Sequence, residues 1–147
     1  MLRPFLRAAT VYTHPVSDVL LGKRIVLGVT GSIAAYKAVI LASSLTQAGA
    51  LVDVIMTREA QELVRPFSFQ AITHRAVSAE LFNMLAETEI GHVSLGKSAD
   101  AILIAPCTAN MLAKLSYGLA DDMLTTTVLA SEAPLLIAPA MDAGMFE

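Results

Sequence analysis

Four short stretches hold residues able to do chemistry: "VTGSIAAYK", "GHVSL", "APCTAN" and "PAMDAGM". In the first, Gly31 lets the backbone turn tightly and Ser32 is a helix-capping type. The first N–H groups of a following helix point outward with partial positive charge, which suits a phosphate. One exposed helix end contributes only ~0.3 to 1 kcal/mol toward an anion, so several donors must converge, and a plain N-cap is the competing reading. With one glycine in place of the spaced G-x-G-x-x-G triplet, a dinucleotide is disfavoured. The choice lies between a mononucleotide phosphate and no ligand.

"APCTAN" repeats the arrangement: Pro106 is expected to stop a strand, Thr108 or Asn110 to cap a helix, and backbone amides are again presented. Nothing beside Cys107 in sequence would activate a thiolate, so it reads as a small buried residue at a crowded strand end. His92 follows Gly91 and opens a short helix. Its imidazole titrates near neutrality and suits a general base, with a capping or structural histidine as the alternative. His14 and His74 read as surface residues. Asp121 and Asp122 open a helix, where capping accounts for them better than a metal, since no other ligands stand at suitable spacing. Asp142 is either a carboxylate aimed into a site or a solvated loop acid.

These residues need elements to position them. "RIVLGVT" reads as a strand, "SIAAYKAVILASSLTQAG" as a helix closed by Gly49, "LVDVIMT" as a strand, and "REAQELVRP" as a short helix halted by Pro66. "FSFQAITHRAVSAELFNM" reads as helical at its start and extended near Ala76 and Val77. Then come the short segment "HVSLGKSAD", the strand "AILIAPC", the helices "TANMLAKLSYG" and "ADDMLTTTVLASE", and a buried strand "APLLIAPA". Strands alternating with helices predict a mainly parallel sheet covered on both faces, with ligands outside the carboxyl ends of its strands. Thr57, after the second strand, is placed to cap the helix that follows.

A chain of 147 residues is one domain's worth. Its composition is 55% hydrophobic with mean hydropathy +0.63, yet Gly or Pro breaks every apolar run far short of the ~20 residues that a membrane-spanning helix needs. A net charge of -3 without charge blocks argues against nucleic acid. A single cysteine excludes an internal disulfide and a cysteine-based metal cluster and fits a reducing, cytoplasmic setting. Residues 1–22 read as a loosely ordered extension before a domain spanning residues 23–147.

In this order and spacing, "VTGSIAAYKA", "MTREA", "GHVSL", "ADAILIAPCTANMLAKLSYGLADDMLTTT" and "PAMDAGMF" resemble the homo-oligomeric flavin-containing cysteine decarboxylases. The resemblance covers about Gly22 to Glu147. It implies a Rossmann-like (flavodoxin-like) three-layer α/β sandwich binding FMN. Gly31, Ser32 and Ile33 match the phosphate loop, Thr57 the second loop, and Thr108, Ala109, Asn110 and Met111 the family's P-x-S/T-A-N-T segment. Ala140 matches a position near the flavin, Asp142 a substrate-binding position, and His92 the catalytic histidine, which reverses the reading from the residues alone. No metal is implied. The implied reaction is FMN-dependent decarboxylation of phosphopantothenoylcysteine to phosphopantetheine in coenzyme A biosynthesis. In it the substrate thiol is oxidised to a thioaldehyde, carbon dioxide leaves, and the enethiol is reduced again. A homotrimer or dodecamer is implied because the family's FMN sites lie at subunit contacts.

The departures are specific. Met111 stands where threonine is usual, Phe146 where tryptophan is usual, and Asp142 where an asparagine holds the substrate carboxylate. An ionised aspartate would repel that carboxylate. The family's substrate clamp, with its proton-donating cysteine, lies downstream of this motif, so the chain is expected to stop short of it. A flavin prenyltransferase-like enzyme and a flavin-binding module without catalysis are the competing readings.

Overall fold

The computed structural model describes residues 18–78 and 91–146. At its centre β1 (Arg24–Val29) pairs in parallel with β2 (Leu51–Met56) on one side and β4 (Ala101–Cys107) on the other. Two further parallel strands, β3 (Val77–Ser78) and β5 (Leu135–Pro139), complete the order β3-β2-β1-β4-β5. The expected Rossmann-like parallel sandwich is present. Strand order reverses between β1 and β4, and the connections from these strands leave on opposite faces of the sheet.

Alternation along the strands sorts the core into two layers. Ile25, Leu27, Val29, Val52, Val54 and Met56 face α1 (Ala35–Gln47), α2 (Arg58–Leu63) and α3 (Pro66–Thr73), which add Ala38, Ala42, Ala60 and Phe69. Val26, Ile55, Ile102 and Ile104 face α4 (Gly91–Ser98), α5 (Ala109–Tyr117) and α6 (Met123–Leu129), which add Met111 and Leu124. Small residues set how closely these layers approach. A Cβ on Gly96 of α4 would lie 2.7 Å from the Thr127 carbonyl oxygen of α6, and Ser131 Oγ donates to the Gly96 carbonyl at 2.6 Å. Close packing on α6 therefore fixes α4, the helix that carries His92.

Several local expectations change. Pro66 does end α2, but it also opens α3 as its first residue, where the missing N–H costs nothing. Pro106 does not stop β4. The strand runs on to Cys107, with a register shift against β5 between Ile104 and Cys107, because proline donates nothing to the ladder yet still accepts through its carbonyl. The last strand was expected to be buried. All five residues of β5 are exposed, with Leu136 at 52%, because β5 is an edge strand and the helices pack over its neighbours. The expected extension falls largely on residues 1–17, outside the described residues. At its end Leu20 packs on the core and Gly22 N donates to the Gly49 carbonyl. Among the described residues, no helix is long and apolar enough to cross a membrane.

Asp53 sits in an otherwise apolar strand at 7% exposure. Arg75 Nε donates to its Oδ1 at 2.6 Å. Arg24 Nε faces Oδ2 at 3.3 Å without hydrogen-bond alignment, while Arg24 also reaches Ser98 Oγ at the end of α4. A buried carboxylate needs such partners, and removing its charge leaves two half-exposed arginines unpaired. We expect Asp53→Asn to cost about 1 to 3 kcal/mol, seen as a lower urea midpoint with an unchanged slope. An unchanged midpoint would mean the cluster contributes nothing.

Candidate active site

The site is built where β1, β2 and β4 end together. Thr30, directly after β1 and 1% exposed, donates through Oγ1 to the Pro106 carbonyl at 2.7 Å and accepts from Thr108 N at 3.0 Å. Thr57 N donates to the Val29 carbonyl at 3.0 Å, and Thr57 Oγ1 accepts from Ala60 N, capping α2 as expected. Thr108 Oγ1 accepts from Met111 N at 3.2 Å and caps α5, so of the two candidate caps Thr108 performs the role. Each cap satisfies one of the orphan amides that open a helix.

The first loop differs from expectation in two ways. Gly31 has no positive φ; an added Cβ would overlap the Cβ of Glu59, so close approach of α2 is what requires glycine there. Ser32 does not cap α1. Its Oγ accepts from Ala34 N at 3.2 Å, closing a turn ahead of the helix, and the N-cap position is held by Ala34 without a side-chain bond. Among the described residues, the amides of Gly31 and Ile33 have no protein acceptor.

A cleft of about 160 Å³ opens between these loops. Gly31, Thr57, Thr108, Asn110 and Met111 line it, five of the residues singled out from sequence. Thr30, Glu59 and Lys114 line it as well and were missed, as does Asp122, which was read from sequence only as a helix cap. Lys114 Nζ donates to Asp121 Oδ1 at 2.8 Å and to Asp122 Oδ2 at 3.2 Å. The Asp121 bond raises the ammonium's pKa, and the same contact lowers that of Asp121. Asp122 caps α6 in a reciprocal box with Thr125, the reading favoured for it from sequence. Among the described residues, no His, Cys, Asp and Glu side chains cluster to hold a metal.

Ser32, Ile33, Ala109, Ala140 and Asp142 are not among the cleft's lining residues. Ile33 is 87% exposed. Ala140 N donates to the Cys107 carbonyl at 2.9 Å, which brings the last loop to the end of β4. Asp142 is exposed and its Oδ1 accepts from Gly144 N at 2.9 Å, opening the single turn α7 (Ala143–Phe146). His92 is the second residue of α4, whose start lies at the carboxyl edge of the sheet by topology. His74 ends α3 as an exposed left-handed residue.

The flavoprotein family model matches residues 13–147. The chain belongs to the flavoprotein family. It is 46% identical over 127 residues to the coenzyme A biosynthesis bifunctional protein CoaBC of Vibrio cholerae, covering 86% of this chain and 32% of that protein. It therefore spans about a third of the length of the curated relatives it matches. Among solved flavoprotein relatives, the FMN-dependent cysteine decarboxylase SpaF superposes with a TM-score of 0.81 at 38% identity, covering 87% of this chain and 74% of that one. A PPC decarboxylase mutant, C175S, complexed with pantothenoylaminoethenethiol gives 0.73 at 28% identity, over 85% and 70% of the two chains.

Cys107 stands apart from the site chemistry. It is fully buried, and burial pushes its thiol up to about 11 from an ordinary 9.0. The fold favours the neutral thiol, so this contribution is complete below pH 9.0 and is lost as pH rises toward about 11. Urea midpoints of wild type and Cys107→Ala should diverge over that interval, with wild type falling more steeply. Parallel pH profiles would show that burial imposes no such constraint.

Proposed function

We propose that this chain is the FMN-binding decarboxylase domain of a cytoplasmic enzyme that converts phosphopantothenoylcysteine to phosphopantetheine in coenzyme A biosynthesis. The observation that carries this reading is the cleft at the strand-order reversal, where Gly31, Thr57, Thr108, Asn110 and Met111 come together from loops distant in sequence. The residues present fit the cofactor. The open amides of Gly31 and Ile33, beside a helix start with no side-chain cap, suit a phosphate, and the hydroxyls and amide of Thr57, Thr108 and Asn110 sit beside the apolar wall of Met111. FMN, when bound, supplies the reversible two-electron oxidation of the substrate thiol that makes decarboxylation possible.

The protein's residues supply the rest. His92, at the start of α4, takes the thiol proton, in a helix held against α6 at Gly96. A cleft of about 160 Å³ is smaller than the ~300 Å³ at which sites begin to enclose a ligand of this size. A ligand of that size would extend past these walls, and completion of the site by another chain in a homotrimer or dodecamer would enclose it. Ile33, Tyr36 and Ile40, all more than half exposed at helical spacing, offer an apolar stripe for that contact.

Reconstitution of the full-length protein with FMN, followed by a carbon dioxide release assay, tests the reading. His92→Asn should keep FMN bound while lowering kcat by about two orders of magnitude or more. Bound flavin with no carbon dioxide release from wild type would leave a flavin-binding module, and unchanged turnover in the variant would remove His92 as base.

Asp142 brings a negative charge toward a substrate carboxylate. At solvent-screened separation the repulsion is on the order of 1 kcal/mol. Asp142→Asn should therefore lower KM for the cysteine substrate about threefold to tenfold with a smaller change in kcat. A KM that does not move would place the carboxylate out of reach of this side chain.

A further inference from the structure

Thr30 occupies a position that its residue type alone does not announce. It follows β1 where the chain leaves toward α1 on one face of the sheet, and Thr108 follows β4 where the chain leaves toward α5 on the other. Between them no strand ladder continues, since the pairing of β1 with β4 ends at Gly28 and Ile104. What joins the loops is one residue. Thr30 N and Oγ1 both donate to the Pro106 carbonyl, at 3.3 and 2.7 Å, and Oγ1 accepts from Thr108 N at 3.0 Å. Pro106 can take part only through this carbonyl, and Thr108 N is the amide just before the helix whose first residues line the cleft.

We propose that Thr30 is a positioning residue for the flavin: its hydroxyl locks the loop of Gly31 to the loop of Thr108, so that the two present their donors at one fixed separation. The proposal rests on the flavin reading of the cleft. The hydroxyl is suited to this because it donates and accepts at once, which valine, its closest isostere, cannot do. The core beneath does not depend on it. β1 is held by six residue pairs with β2 and by four with β4, and Thr30 lies outside both ladders. Loss of the hydroxyl leaves only the longer main-chain bond from Thr30 N to the Pro106 carbonyl, so the loops should loosen while the domain stays folded, and Thr108 N loses its acceptor.

Titration of the apo form of the full-length protein with FMN, followed by quenching of flavin fluorescence, reads the first consequence, and hydrogen exchange at the Thr108 amide reads the second. In Thr30→Val, FMN affinity should fall about tenfold or more and the Thr108 amide should exchange at least about tenfold faster, in an apo domain that still unfolds cooperatively with its thermal midpoint lowered by no more than about 10 °C. Thr30→Ser, which keeps a hydroxyl, should return both within about threefold of wild type. Should the valine variant fail to fold, Thr30→Cys, similar in size with a weak hydrogen-bonding group, is judged by the same two measures. FMN affinity within about twofold of wild type, or unchanged amide exchange, overturns the proposal, as does an equal loss in the serine variant. A wild-type protein that binds no FMN overturns the flavin reading and this proposal together, an outcome distinct from equal binding by wild type and variant.

Discussion

The carboxyl edge of this domain depends on hydrogen bonding across the point where strand order reverses. Everywhere else in the sheet, neighbouring strands hold each other by repeated ladders, β1 to β2 through six residue pairs. At the reversal the chains leaving β1 and β4 diverge to opposite faces, and divergence is what creates a cleft. A gap of that kind is useful to a ligand only if its walls stay in register. Thr30 supplies the tie on the β4 side and the Thr57 amide, bonded to the Val29 carbonyl, supplies it on the β2 side. Three strand ends are thereby joined just above the last buried layer of the core.

Below that edge, small residues determine where the helices lie. Leu124 of α6 packs directly over Gly28 of β1, where any Cβ would meet it at 2.6 Å. Gly96 then lets α4 lie against α6 at a distance that a side chain would forbid. On the other face Ala35, Ala38 and Ala42 bring α1 down onto the sheet. Close packing of this kind transmits position, because a dense interior has few alternative arrangements. The start of α4, with His92, is thus referred through α6 to β1, the strand that also ends in Thr30.

Much of this was legible in the sequence, and what was not has identifiable causes. Alternating and continuous apolar runs gave away the strands of the sheet's interior, and a threonine ahead of a helical pattern correctly marked Thr57 as a cap and Thr108 as one of two candidates. The same rule failed at Ser32, because the chain takes a turn before α1 begins and the serine serves that turn. Pro106 misled because a proline forbids only a donor, and a strand can continue past it on its carbonyl. β5 misled because an apolar run reports hydrophobicity and says nothing of place in a sheet. The residues that were missed altogether depend on distant partners: Thr30 on a carbonyl 76 positions away, Asp53 on an arginine 22 positions away. No local pattern encodes such pairings, whereas the motifs quoted from the sequence include Gly31, Thr57, Thr108, Asn110 and Met111, which the fold brings to one cleft.

Asp142 is the place where local and family readings pull apart, and the geometry of its loop accounts for it. The loop is tied to the sheet by one main-chain bond, from Ala140 N to the Cys107 carbonyl, and beyond that closes on itself through Asp142 Oδ1 to Gly144 N and Met145 N to the Asp142 carbonyl. Such an arrangement fixes the backbone and gives the carboxylate a partner within its own turn. The side chain stays exposed, so any charge it sets against a ligand is screened by solvent. A buried acid facing a carboxylate would cost several kcal/mol, whereas a screened one costs on the order of 1 kcal/mol. An aspartate in place of an amide is therefore compatible with a substrate that carries a carboxylate, provided recognition of that carboxylate falls to donors other than this side chain.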